Sequence, residues 1–326
     1  MHKKRDLQFD IVRVLATLWI VGVWHMLDYV DAPRLLEMKK DLGYVTTCML
    51  ATFMFMSGYF LSKYTFGTKE EITIFYKKRL TRFFPLFFLS ALVLYRIGFN
   101  PGRLQLLFTL TGLSSYIGHQ SGTIWFLSML FSFYMITPFV VRGVERIQYG
   151  AWMKSIIVVL FCIVFIYALS CTPLNYDKRL SYTMPFYGLG LILGREPFIK
   201  TISSKWYILL LSALLLTLLH AFNISGVRYL HIDTVVAIIL FFCICYWLQN
   251  LPIGGIISFL SYASMAMYLF HRPVYILFLK YVNHNAKATI PEVLFFILPL
   301  TIVISYTIQY SYDFCLEKIE NRNQKQ

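Results

Sequence analysis

Four ionisable side chains lie inside the first apolar segment of the chain, residues 9–29. Asp10 and Arg13 stand near its beginning, and His25 and Asp28 stand near its end. Charged groups in a lipid-spanning helix are energetically costly, and where they occur they usually line a cavity or a functional site. The segment therefore predicts chemistry that takes place within a membrane.

The spacing of these four residues predicts two pairs on a helix. Asp10 and Arg13 are three residues apart and can pair on one face. His25 and Asp28 have the same spacing, so the carboxylate could orient the imidazole and raise its basicity. Arg13 and His25 are about 18 Å apart along an ideal helix axis. The alternative is that Asp10 and Arg13 reach the lipid headgroups and that His25 only ends the helix.

A second basic cluster lies in FYKKRLTRFFP, residues 75–85. Arg79 and Arg82 are three residues apart and share a face if the segment is helical. The guanidinium fork matches the geometry of a phosphate group, which predicts phosphate binding. Ordinary anchoring of a cytoplasmic loop explains Lys77 and Lys78. For Arg82, anchoring and ligand binding both stay open.

Two later segments carry further candidates. Trp125 opens WFLSML (125–130), where tryptophan is most often a residue of the interfacial aromatic belt. His271 and Arg272 lie in SYASMAMYLFHRPV (261–274), and such adjacent basic groups at membrane depth need an internal partner or a wet cavity. We assign no role to the remaining histidines, of which His119 lies closest before Trp125.

The composition indicates the elements that must position these residues. The 326 residues are 58% hydrophobic and 14% charged, against about 45–50% apolar and about 25% charged in soluble domains. Apolar runs long enough to cross a bilayer recur throughout the chain. The sequence predicts an all-α, polytopic bundle of about ten transmembrane helices, near residues 9–29, 42–62, 83–99, 122–141, 154–170, 182–194, 206–222, 232–250, 264–282 and 291–314. The ninth helix could begin near Ile253, and residues 104–117 predict a re-entrant or interfacial segment.

Loop charge predicts the orientation. The loop after the second span is rich in lysine and arginine, and the positive-inside rule then places both termini in the cytoplasm. The net charge of +14 is explained by basic loops that face anionic lipid, and no nucleic-acid motif accompanies it. We expect one transmembrane domain over residues 1–316 and a short polar cytoplasmic tail over 317–326. No cysteine spacing indicates a metal site, so we expect no metal.

Five segments, in their order along the chain, resemble the membrane-bound acyltransferase family 3. The usual opening of this family, R-x-x-x-(F/I/L)-D-x-x-R-x-x-A followed by a histidine, is matched by Arg5, Phe9, Asp10, Arg13, Ala16 and His25. FMFMSGYFLS (53–62) is similar to the family's F-F-x-x-S-G segment. FYKKRLTRFFP, WFLSML and SYASMAMYLFHRPV resemble its Y-x-K-R-x-x-R, W-(F/Y)-L and Y-(L/I)-x-H-x-P segments. The resemblance covers nearly the whole chain.

The resemblance implies transfer of an acyl group, usually acetyl and sometimes succinyl, from cytoplasmic acyl-CoA. The acceptor it implies is a hydroxyl of a surface polysaccharide, a lipid-linked glycan precursor or another envelope molecule, at the plasma (inner) membrane of a bacterium. His25 is then the expected base, assisted by Asp28. Arg13, Arg79 and Arg82 are the expected acyl-CoA ligands, and Trp125, His271 and Arg272 the expected substrate-binding residues. The alternatives are a transporter or flippase without acyl chemistry and an inactive or sensory family member.

One spacing departs from the family pattern. Eleven residues separate Arg13 from His25, whereas ten is the commonest number in the family. Eleven helical steps return to about the same face, while twelve leave two residues about 120° apart. A π-bulge near Gly22 could restore the alignment; without it, Arg13 and His25 would serve different subsites.

Overall fold

The computed structural model describes residues 6–99, 102–118, 122–195, 197–221, 232–284 and 286–323. The described residues form helices joined by turns and loops, with no strand; Val30 and Ala288 make an isolated parallel bridge. The predicted all-α class is confirmed. Arg5 of the family-like opening, His119 and the last three residues of the predicted tail lie outside the described residues.

Short irregular turns interrupt the regular helices of the described chain. In chain order the α-helices are α1 (Leu7–Trp19), α2 (Pro33–Glu37), α3 (Lys39–Leu61), α4 (Lys69–Arg96), α5 (Arg103–Leu110), α6 (Ser114–Ile117), α7 (Trp125–Glu145), α8 (Ala151–Ser170), α9 (Leu180–Leu193), α10 (Phe198–Ser203), α11 (Trp206–Ala221), α12 (Ile232–Leu248), α13 (Gly254–Phe278), α14 (Ile290–Glu292) and α15 (Leu298–Asn323). π-helical turns occupy Ile20–Trp24, Leu279–Asn283 and Val293–Ile297, and a 3₁₀ turn occupies His25–Asp28.

Five helical segments of the described chain are long and apolar enough to cross a membrane, namely Leu7–Asp28, Lys39–Leu61, Trp125–Glu145, Ala151–Ser170 and Ile290–Arg322. Three further apolar helices are shorter, at 14, 16 and 17 residues: α9, α11 and α12. Large apolar side chains of α8 and α11 are exposed, among them Phe161 and Leu214. Such exposed apolar surface suits contact with lipid. The count of ten spans and the cytoplasmic termini stay predictions.

The segment predicted to be re-entrant or interfacial consists of two short helices. α5 has 8 residues and α6 has 4. At about 1.5 Å per residue neither can cross a hydrocarbon core about 30 Å thick. Gly112 separates them with a positive φ of 77°, a backbone conformation that residues with a Cβ rarely adopt. The ninth predicted span begins at Gly254, next to the early limit that the sequence indicated.

By its internal contacts the chain divides into two compact units. The first combines Met1–Thr46 with Gln249–Gln326, and the second is Thr47–Leu248. In the first unit α13 packs along both α1 and α15. Beyond the last turn of the first span, Ala288 donates its backbone N–H to the Tyr29 carbonyl at 2.8 Å. This contact fixes the chain that follows Asp28.

In the second unit, close helix packing depends on glycine. A Cβ on Gly58 of α3 would collide with the Tyr187 carbonyl, and one on Gly190 of α9 would collide with the Phe55 carbonyl. Small residues at such crossings allow the two backbones to approach closely, as is common in membrane helices. α8 packs along α9, and α11 along α12.

Candidate active site

The first span changes its helical pitch just before His25. The regular helix α1 ends at Trp19, and a π-turn follows over Ile20–Trp24. The His25 backbone N–H donates to the Ile20 carbonyl, five residues back, which is the hydrogen bond that defines a π-helix. The Tyr275 hydroxyl donates to the Val21 carbonyl at 3.2 Å. A side chain of α13 thereby bonds the backbone of this turn.

The π-turn brings Arg13 and His25 to the same side of the first span. A π-turn accommodates one residue more than an α-turn. The twelve steps from Arg13 to His25 therefore act as about eleven, and the angle between the two residues around the helix axis falls from about 120° to about 20°. Both side chains accordingly contact α13: Arg13 bonds Ser261 at 3.1 Å, and His25 stacks on His271. Of the two alternatives that the sequence left open, the structure has the π-bulge, which includes Gly22.

Asp10, Arg13 and Ser261 form the first part of this site. The Ser261 hydroxyl donates to Asp10 Oδ1 at 2.6 Å, and Arg13 bonds the same oxygen at 3.4 Å. The predicted Asp10–Arg13 pair is confirmed. Asp10 is buried, whereas 31% of the Arg13 side chain is exposed. Serine 261 is a partner that the spacing within the first span could not reveal.

His25 and His271 form the second part of the site. Their rings stack with centroids 4.6 Å apart and planes only 6° from parallel. His271 Nδ1 lies 2.8 Å from the Tyr268 carbonyl and 3.2 Å from the Met267 carbonyl. Because a carbonyl oxygen only accepts, Nδ1 carries the proton and Nε2 of the neutral ring is the acceptor. Among the described residues, neither His271 Nε2 nor His25 Nδ1 has a hydrogen-bond partner, although both atoms are buried.

Asp28 does not orient His25, which corrects the expected pairing. Its carboxylate accepts from Arg272 at 2.7 Å, and Arg272 also donates to the Tyr29 hydroxyl at 3.2 Å. The Arg272 side chain is only 7% exposed, and a buried guanidinium requires a counter-charge more strongly than a neutral imidazole does. Within the described chain no hydrogen bond joins Asp28 to His25. Arg272 thus has the internal partner that its depth demands.

Arg79 and Arg82 lie on α4 of the second unit, three residues apart on a regular helix. The Arg79 guanidinium lies between two aromatic rings, 5.5 Å from the Tyr64 centroid and 5.8 Å from the Tyr134 centroid. Its Nε is buried and has no hydrogen-bond partner among the described residues. The Arg82 side chain is exposed. The two tyrosines hold the Arg79 guanidinium in place by cation–π contact.

α4 begins with a capping box formed by Thr68 and Glu71. The Thr68 hydroxyl accepts from the Glu71 backbone N–H at 3.2 Å, and the Thr68 backbone N–H donates to the Glu71 carboxylate at 3.2 Å. This backbone N–H lowers the pKa of the Glu71 carboxyl below its ordinary value. The box fixes where the helix that carries Arg79 and Arg82 begins.

Trp125 is covered by a residue that the sequence did not indicate. The Arg179 guanidinium lies 3.5 Å from the centroid of the Trp125 ring and pairs with the buried Asp177 at 2.7 Å. Only 5% of Trp125 is exposed. One face of its ring is therefore occupied within the second unit. Substrate binding by Trp125, and by His271 and Arg272, stays a prediction.

Two further arginines, which no sequence pattern indicated, bind backbone carbonyls after α3. Arg142 donates to the Phe66 carbonyl and, at 3.2 Å, to the Gly67 carbonyl. Arg195 donates to the Ser62 carbonyl at 3.1 Å and pairs with Glu145 at 2.7 Å. These contacts fix the segment that leads into α4. No local motif signals these contacts, because each joins residues at least 50 positions apart in the chain.

Comparison with known proteins gives one match. The model of a family described as an acyltransferase domain matches residues 6–310. This range covers most of the chain and runs through both units. Comparisons with curated proteins and with solved structures give no match.

Proposed function

Since the chain belongs to the membrane-bound acyltransferase family 3, we propose that it moves an acetyl or succinyl group from cytoplasmic acyl-CoA to a hydroxyl of an envelope glycan. The acceptor is a cell-surface polysaccharide or its lipid-linked precursor, and the enzyme works in the plasma membrane of a bacterium. The observation that carries this proposal is the π-turn, which aligns Arg13 and His25 toward α13 at two different depths of one span. An acyl-CoA donor needs such separation, because its phosphates and its thioester lie at opposite ends of a long arm.

In the proposed reaction His25 is the general base. It takes the proton of the acceptor hydroxyl while the hydroxyl oxygen attacks the thioester carbonyl. The carbon–sulfur bond breaks, the new ester forms, and the proton passes from the imidazole to the sulfur of the departing CoA. General acid–base catalysis of this kind contributes about 10²–10⁴-fold to a rate. Asp28 contributes by holding the Arg272 side chain next to the stacked rings of His25 and His271, and within the described chain it forms no hydrogen bond with His25.

The proposed donor ligands are arginines. Arg79 and Arg82 present two guanidinium groups from one face of α4, and guanidinium binds phosphate by paired, charge-assisted hydrogen bonds. The family resemblance implies Arg13 as a further donor ligand, and 31% of its side chain is exposed. Acetyl-CoA is the donor we expect first.

The decisive experiment replaces His25 with alanine. Envelope glycans from cells with the wild-type protein, with the variant and without the protein are compared by mass spectrometry. We expect acyl esters only with the wild type, while the variant accumulates normally in the membrane. His220→Ala, which changes an exposed histidine at the end of α11, is the matched control and should retain the esters.

Two outcomes would contradict the proposal. Esters that persist in the His25→Ala variant would exclude its role as the base. Glycan whose amount or location depends on the protein while its esterification does not would instead identify a transporter or flippase.

A further inference from the structure

A histidine that acts as a base usually has its second ring nitrogen held by a carboxylate or a carbonyl, which fixes the orientation of the imidazole. His25 lacks this support. Its Nδ1 is buried without a hydrogen-bond partner in the described chain, and the nearest carboxylate along the span, Asp28, is bonded to Arg272. Something else must therefore fix the ring plane of His25.

The stacked ring of His271 has the required contact. The two rings are nearly parallel at 4.6 Å, so rotation of His25 about its side-chain bonds would drive its ring into that of His271. No other ring stacks face to face on either imidazole in the described residues.

His271 is itself held firmly. Its Nδ1–H donates to the Tyr268 carbonyl at 2.8 Å, one turn earlier in the same helix. The Tyr275 ring meets it edge-on, with centroids 6.5 Å apart. No part of His271 is exposed, and Tyr275 is equally buried. A ring fixed in this way can serve as a rigid surface for its neighbour.

The parallel arrangement also excludes a direct proton relay between the two rings. The N–H bonds and lone pairs of an imidazole lie in the plane of the ring. With planes 6° apart, no nitrogen of one ring points at a nitrogen of the other. The contact between the rings is therefore geometric.

We propose that His271 is a positioning residue, whose stacked ring fixes the imidazole plane of His25 in place of the usual carboxylate. The inference rests on the proposed function, in which His25 is the base. Loss of such positioning, by about 1 Å, lowers rates about 100-fold in enzymes generally.

Two substitutions separate the stacking of His271 from its nitrogen chemistry. His271→Phe keeps a flat ring and removes both nitrogens, whereas His271→Asn keeps an N–H donor for the Tyr268 carbonyl and removes the ring. Purified proteins in detergent receive radiolabelled acetyl-CoA and, as acceptor, the glycan fraction of cells lacking the protein. We expect His271→Phe to keep kcat within about tenfold and His271→Asn to lose about 100-fold, with KM for acetyl-CoA unchanged in both.

A second readout does not depend on acyl transfer. Diethyl pyrocarbonate modifies accessible histidines, and peptide mass spectrometry gives its rate at His25. We expect the modification rate of His25 in His271→Phe to match that in the wild type. In His271→Asn the rate should rise several-fold, because no ring then covers the imidazole of His25.

The outcomes decide the proposal in either direction. A His271→Phe variant as inactive as His271→Asn would overturn it and assign chemistry to Nε2. A His271→Asn variant with wild-type activity and wild-type labelling would overturn it as well. If no protein transfers acetyl while the labelling of His25 still separates the two variants, the acyltransferase proposal fails and the positioning role stands.

Discussion

The π-turn over Ile20–Trp24 predicts opposite effects for removing and adding one residue. Without Val23, which is only partly buried, the turn can close as a regular α-turn. Eleven real steps then connect Arg13 to His25, and their angular offset stays at about 20°. An alanine inserted after Val23 adds a residue that nothing absorbs, and it rotates His25 and all later residues of the span by about 100°.

The structure sets the size of each effect. The deletion leaves the contacts of His25 with His271 and of Asp28 with Arg272 in register, so we expect activity within about tenfold of the wild type. The insertion breaks both contacts, and misplacement of the base by more than 1 Å predicts a loss of at least about 100-fold. It also leaves the buried Arg272 charge without its counter-charge, which costs about 2 kcal/mol, less than for a fully buried pair because 44% of the Asp28 side chain is exposed.

The assay measures transfer of labelled acetyl groups from acetyl-CoA into envelope glycan by the purified proteins. Thermal unfolding in detergent reports stability in parallel. The control is an alanine inserted after Thr172, in the exposed connection between α8 and α9, which should leave activity unchanged. A deletion variant as inactive as the insertion variant would refute the reasoning, since it would show that the extra residue is needed for itself and not for register.

Three further perturbations test other parts of the structure. Asp28→Asn should lower the free energy of unfolding by about 2 kcal/mol, less than for a fully buried pair because the Asp28 side chain is 44% exposed. Adding Arg272→Met to this variant should restore the melting temperature. An unchanged melting temperature in Asp28→Asn would contradict the prediction. Gly58→Ala should lower the free energy of unfolding by about 1–3 kcal/mol through overpacking. Gly143→Ala is the control and should leave it unchanged, because a Cβ at Gly143 has no atom within 4 Å. Equal melting temperatures of the two variants would exclude the close approach of α3 and α9 at Gly58. Arg82→Ala should weaken acetyl-CoA binding at least fivefold in calorimetry. The melting temperature should not change, because the Arg82 side chain is exposed. An unchanged affinity for acetyl-CoA would exclude Arg82 from the donor site.

The sequence was sufficient for what depends on local patterns. Apolar runs free of charge predict helices at membrane depth, and the described chain is helical along them. The three-residue spacing of Asp10 and Arg13 predicts their pair. For the surplus residue of the first span the sequence left two alternatives, a π-bulge near Gly22 or separate subsites for Arg13 and His25, and the structure has the bulge.

The partners of the site residues could not be read in the same way. Spacing along the first span favours Asp28 as the support of His25, yet the carboxylate bonds Arg272 and the ring of His25 stacks on His271. Arg179 on Trp125 and Ser261 on Asp10 are contacts of the same kind. Each joins residues far apart in the chain.

The sequence by itself determined the all-α class, the apolar helices and the pair of Asp10 and Arg13, because these follow from periodicity, spacing and the cost of charge in lipid. Only the tertiary structure decided which carboxylate meets which cation and which ring supports the candidate base. The physical reason is that α1 and α13 share a packed face, where a buried guanidinium outcompetes a neutral imidazole for Asp28. This preference depends on contacts between two helices, and the residue spacing within either helix does not predict it.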